Sequence, residues 1–147
     1  GTFERWVEPA PFNWTIHSER AELQEGGGLF VAFTGVGNPL FASQIFAVSP
    51  GEYKLHTTVN GQMPENGGSL GWVLRCAHTP EVLLDSKISL RSSFTGEIFQ
   101  DDLVIADNQC AFVLIELRGR AGAFPKISRV EVQSISLQKV DDLGTVR

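Results

Sequence analysis

Five polar side chains, Gln44, His56, Arg75, Glu116 and Arg118, stand inside runs that read as candidate strands. Their planar amide, imidazole, guanidinium and carboxylate groups form directional hydrogen bonds, the chemistry that grips the hydroxyls of a sugar. Phe46 shares the phase of Gln44 and offers an aromatic face to the C–H side of a ring. If the strands that carry them lie side by side, these groups line one shallow groove, with Trp14 at its rim. The plainer alternative is a solvated sheet face on which Arg75 and Glu116 form an ordinary ion pair, worth under about 1 kcal/mol. Trp6 and Trp14 have their own alternative, which is to tuck against the domain and seal its open end.

Other chemical patterns fail on context. Gly67-Gly68-Ser69-Leu70-Gly71 matches the G-x-S-x-G elbow of serine hydrolases, but a loop precedes Ser69 and a strand follows it. His78 is the last histidine, and no acid lies between it and Ser69, so the triad order is also missing. Gly35-Val36-Gly37 lacks the third glycine of a dinucleotide fingerprint and reads as a turn. Cys76, His78 and Cys110 would supply three zinc ligands, but no fourth stands at a recognisable spacing. The acidic pairs Asp101-Asp102 and Asp141-Asp142 suit solvated strand ends better than a calcium site. Asn13-Trp14-Thr15 fits a glycosylation sequon, which matters only in a eukaryotic secretory pathway. No catalytic residue, metal ligand or cofactor is assigned.

The two cysteines have a simpler use. Cys76 closes the run SLGWVLRC and Cys110 opens AFVLIELRG, so a bridge is within reach if those strands are neighbours. It would stabilise the fold by roughly 4 kcal/mol in the chain-entropy model and place the domain outside the cytosol. Two buried, reduced thiols are the alternative.

The elements that must position these groups are strands. In the stretch from Leu40 to Asn60, alternating runs flank Ser49-Pro50-Gly51-Glu52, where Pro50 presets φ and Gly51 supplies a positive φ. Further candidate strands are PFNWTIH, RAELQ, GLFVAFT, SLGWVLRC, KISLRSSF, DDLVIA, AFVLIELRG and SRVEVQSISLQKV. Turn clusters, Asn60-Gly61 among them, separate the runs. Leu70, Trp72, Leu74 and Cys76 share a core face, and a change of phase after Val132 predicts a bulge near Gln133 or Ser134. Thr79-Pro80-Glu81 opens at most a short helical turn before Asp85. Short strands, Gly/Pro-rich connections and no helical period predict an all-β fold, a two-sheet antiparallel jelly-roll β-sandwich.

Composition bounds the rest. The 147 residues carry 42% hydrophobic and 20% charged side chains, with no repeat or linker, so residues 1–147 read as one domain with a terminal segment at 1–11. The formal net charge of −5, without a basic cluster, argues against nucleic acid and anionic membrane surfaces as partners. No apolar run has the length of a membrane span.

The stretch SQIFAVSPGEYKLHTTVNG and the ending AFVLIELRG…ISRVEVQSISLQKV resemble galactose-binding-like jelly rolls, such as the carbohydrate-binding modules attached to glycoside hydrolases. The resemblance spans Phe12 to Val140. A closer likeness is to β-sandwich domains of bacterial exported or repeat-containing proteins, on Pro11, Phe12, Trp14, Pro50, Gly51, Tyr53, Trp72, Leu74, Cys76 and Cys110. These resemblances imply a non-catalytic accessory module of a larger protein, periplasmic or extracellular, with the Cys76–Cys110 disulfide formed. The expected partner is a glycan; the alternative is a structural or protein-interaction domain.

Overall fold

The computed structural model describes residues 14–24, 28–88 and 93–140. Ten strands and no helix occur among them: β1 Thr15–Ile16, β2 Ala21–Leu23, β3 Leu29–Phe33, β4 Leu40–Ala47, β5 Gly51–Gln62, β6 Gly68–Cys76, β7 Val82–Lys87, β8 Ser93–Ile105, β9 Phe112–Ala121 and β10 Ser128–Val140. They form two five-stranded sheets of order β1-β4-β9-β6-β7 and β2-β3-β10-β5-β8, with every pairing antiparallel. From β3 onward the chain passes from one sheet to the other at nearly every connection, which gives the jelly-roll sandwich that the alternation implied.

The core lies between the sheets. Phe41, Leu70, Trp72, Leu74, Val113, Ile115 and Leu117 of the first sheet meet Leu29, Val31, Phe33, Leu55, Val59, Val130, Val132 and Ile135 of the second, all buried. Phe33 and Phe41 meet edge to face across the gap at 5.6 Å. Gly119 on β9 makes room for this contact, because a Cβ there would come within 2.9 Å of the Phe33 ring. The turn before β5 is held by Tyr53, whose hydroxyl donates to the Ser49 carbonyl at 3.0 Å and accepts from the Ser49 amide at 3.1 Å. Gly51 takes its positive φ there, at 149°. The register of β10 against β5 shifts between Val132 and Ser134, where the change of phase placed a bulge.

Three expectations about strand and turn boundaries fail, where burial is weak or glycine misleads. Val82–Lys87 is a strand rather than the tail of a helical turn, with Ala77 and His78 forming the turn before it. DDLVIA is the second half of β8, and of KISLRSSF only Lys87 and the pair Ser93 and Phe94 fall in described strands. β7 and β8 are the edges of their sheets, and edge strands with solvent on several sides carry little apolar alternation. Asn60-Gly61 is not a turn, because β5 runs straight through it to Gln62. Trp6, Asn13 of the sequon and Asp141-Asp142 lie outside the described residues.

Candidate ligand-binding face

The outward face of the sheet β1-β4-β9-β6-β7 carries the charged cluster. On β9 the residues Val113, Ile115 and Leu117 point into the core, so Phe112, Leu114, Glu116, Arg118 and Arg120 point out. On β6 the same logic turns Ser69, Gly71, Val73 and Arg75 outward. The register then sets Ser43, Glu116, Val73 and Asp85 in one row across the sheet. Leu114 lies beside Arg75 in the next row, and Arg118, Gly71 and Lys87 form the row on the other side.

Glu116 is the hub. Its side chain is only 3% exposed although it stands on the outer face, because two guanidiniums cover it. Arg75 Nη2 lies 2.7 Å from Oε1. Arg118 forms a two-pronged fork, with Nη2 3.1 Å from Oε2 and Nε 3.3 Å from Oε1. Both arginines remain about one-third exposed, at 33% and 32%, so their remaining N–H groups face solvent. Arg120, two residues along β9, pairs with Asp85 of β7. Toward β1, His17 Nε2 and Ser43 Oγ share a hydrogen bond of 2.7 Å.

The face is graded along its length. At one end half-buried Phe112, with the His78 ring edge-on at 6.1 Å, adjoins half-buried Leu114 and Ile45. At the other, Arg120, Ser69 and Lys87 lead into a cleft of about 500 Å³ lined by Met63, Glu65, Asn66, Ile88 and Gly122.

Of the residues expected in the groove, the structure brings together Arg75, Glu116 and Arg118. Gln44 and Phe46 point the other way: they pair with Ile115 and Val113, and Gln44 is 2% exposed inside the sandwich. In the run from Leu40 to Val48 nearly every residue is apolar, so the pattern does not distinguish inside from outside, and Ile45 and Ala47 turn out to face solvent. His56 belongs to β5 in the opposite sheet, between Ser136 and Gln100, and its Nε2 is buried without a hydrogen-bond partner. Trp14 does not rim the groove; it packs on the core, 6.0 Å from Trp72. On that opposite sheet Lys54 donates to Asp102 at 3.0 Å; this hydrogen bond, then the lysine charge, holds the Asp102 carboxyl below the ordinary carboxylate range.

Arg120 and Phe112 were legible in the sequence as continuations of the Glu116 and Arg118 alternation. Asp85 and Lys87 were not, because they lie on β7, an edge strand whose apolar alternation is weak. Cys76 and Cys110 are joined in a disulfide with Cα atoms 5.5 Å apart. Ser69 sits within β6 opposite Arg120, not in an elbow. Among the described residues no three His, Cys, Asp or Glu side chains converge on a metal position.

The chain matches no protein-family model, and no curated protein matches it in sequence. Solved structures do resemble it. A family 4 carbohydrate-binding module superposes with a TM-score of 0.63 at 14% identity, covering 93% of this chain and 96% of that one. A family 61 module, solved with β-1,4-galactotriose, gives 0.55 at 12% identity over 94% of each chain. A structure of accessory secretory proteins 1, 2 and 3 from Streptococcus pneumoniae gives 0.52 at 11% identity, covering 92% of this chain and 94% of the matched one. At these identities the likeness is one of architecture: this chain has the jelly-roll β-sandwich fold of carbohydrate-binding modules.

Proposed function

We propose that this domain is a non-catalytic glycan-binding module whose site is the outer face of the sheet β1-β4-β9-β6-β7. One observation carries the reading: a buried carboxylate, Glu116, holds the Arg75 and Arg118 guanidiniums in fixed positions with donors directed at solvent. A solvated surface pair leaves long side chains free to move, whereas here their orientation is set before a ligand arrives, which lowers the ordering cost of binding. The fold shared with carbohydrate-binding modules supports it, and the Cys76–Cys110 bridge supports residence in an oxidising compartment such as the periplasm or the cell exterior.

Glycan-array binding with the disulfide-intact chain, followed by calorimetry on the best hit, tests this. Arg75→Ala is expected to weaken binding by about tenfold or more, because an ordered charged donor is lost, while Tm falls by only a few degrees because Arg118 still pairs Glu116. Silence across the array, or a hit indifferent to Arg75, would end the reading. The domain would then be better understood as a protein-docking module, for which the exposed Ile98 and Val104 of β8 are the first contacts to test.

A further inference from the structure

We infer that the sugar bound on this face is acidic, a carboxylate-bearing polysaccharide of the uronate class; this rests on the glycan-binding reading above. Two observations carry it. The first is charge: among the described residues Arg75, Lys87, Arg118 and Arg120 stand on the rows of this face against Glu116 and Asp85, with Glu65 in the adjoining cleft, on a chain whose formal net charge is −5. A cationic strip on an acidic protein draws anions to that strip and repels them elsewhere. The second is what the face lacks. Neutral sugar rings are held largely by stacking on aromatic side chains. With Phe46 and Trp14 turned into the sandwich, Phe112 is the one aromatic carbocycle on these rows among the described residues.

The geometry of the cluster matches a carboxylate. Arg118 already holds the planar Glu116 carboxylate in a fork, and a guanidinium presents a second edge to another planar anion. Arg118 and Arg120 project two residues apart, about 7 Å along the strand, so successive charges on one polymer chain can each meet a cation. Asp85 does not block this, since its side chain is 49% exposed and can share Arg120 with a ligand. The open cleft beyond Lys87 and Ser69 gives the polymer a way on from the charged end.

Affinity electrophoresis and calorimetry of the whole, disulfide-intact chain test the inference with polygalacturonate, neutral β-1,4-galactan and dextran sulfate. Polygalacturonate is expected to bind about tenfold or more tighter than the neutral polymer, and to weaken severalfold from about 50 to about 300 mM NaCl. Arg118→Gln and Arg120→Gln should each cost about tenfold, while Lys54→Gln on the opposite sheet changes nothing. Because Arg120 and Asp85 are both substantially exposed, the Arg120 variant keeps its melting temperature and remains informative if the Arg118 variant does not fold. Equal or tighter binding of galactan, insensitive to salt, overturns the acidic-ligand inference and leaves the glycan-binding reading standing. Preference for dextran sulfate, or equal losses in the Lys54 and Arg120 variants, overturns the inference as non-specific charge attraction. No binding to any of the three, together with a silent glycan array, removes both readings.

Discussion

Glu116 explains why charge can persist at the centre of a sheet. A carboxylate removed from water is costly unless paired and hydrogen-bonded, and here the two arginines supply both. Each covers for the other, so their removal should not be additive. Arg75→Ala or Arg118→Ala alone is expected to cost about 1 kcal/mol, whereas the double variant leaves a buried carboxylate with neither guanidinium and should cost at least about 1 kcal/mol more than the sum. Urea denaturation of the four proteins measures this; strict additivity would mean that Glu116 is solvated in solution and that its arginines are not ordered by it. Glu116 and Arg118 were legible because they alternate with Ile115 and Leu117 in the second half of β9, and Arg75 because Leu70, Trp72 and Leu74 mark the core side of β6. Gln44 and Phe46 were not, because a strand apolar on both faces carries no phase. Only cross-strand register, which depends on the bulge between Leu40 and Ala42, assigns them to the core.

At the scale of the element, β5 is the clearest case of local chemistry giving way to tertiary context. Asn60-Gly61 carries the composition of a hairpin turn, yet β10 pairs with one side of this stretch and β8 with the other, and the strand continues. Gly61 is needed there for another reason. Its φ is 141°, and a Cβ would fall 2.1 Å from the Arg129 carbonyl oxygen, at the point where the β5–β8 register shifts. Gly61→Ala therefore combines backbone strain with a steric clash against backbone that two neighbouring strands hold in place. The expected loss is about 2–3 kcal/mol, against about 1 kcal/mol or less for Gly37→Ala, where φ is also positive but nothing lies within 4 Å. Equal losses in thermal unfolding would show that strain alone decides. The edge strands β7 and β8 mark the other limit of what a pattern can reveal. With a sheet neighbour on one side only, their residues face water too often for period 2 to stand out.

For the whole molecule, the decisive feature is where the disulfide sits in the topology. Cys76 ends β6 and Cys110 precedes β9, two strands paired side by side. Between them the chain builds β7 at the edge of one sheet, crosses to build β8 at the edge of the other, and returns. The bridge therefore closes the one excursion that contains both of these edge strands, at a sequence separation of 34. Closing a loop of that size stabilises the fold by about 4 kcal/mol in the chain-entropy model, which for a domain of this length is roughly 8–16 °C in Tm. Loss of the bridge should be felt unevenly. The central strands β9, β6, β10 and β5 keep neighbours on both sides, whereas β7 and β8 lose the tether that limits their opening. Reducing the domain, or replacing both cysteines with Ser, is thus expected to lower Tm by that amount and to raise amide exchange first in Val82–Lys87 and Ser93–Ile105. Asp85 and Lys87 of the binding face lie on β7, so ligand affinity should fall with it. Exchange that rises uniformly over both sheets would show instead that the bridge stabilises the sandwich as a single cooperative unit, with its edges no weaker than its centre.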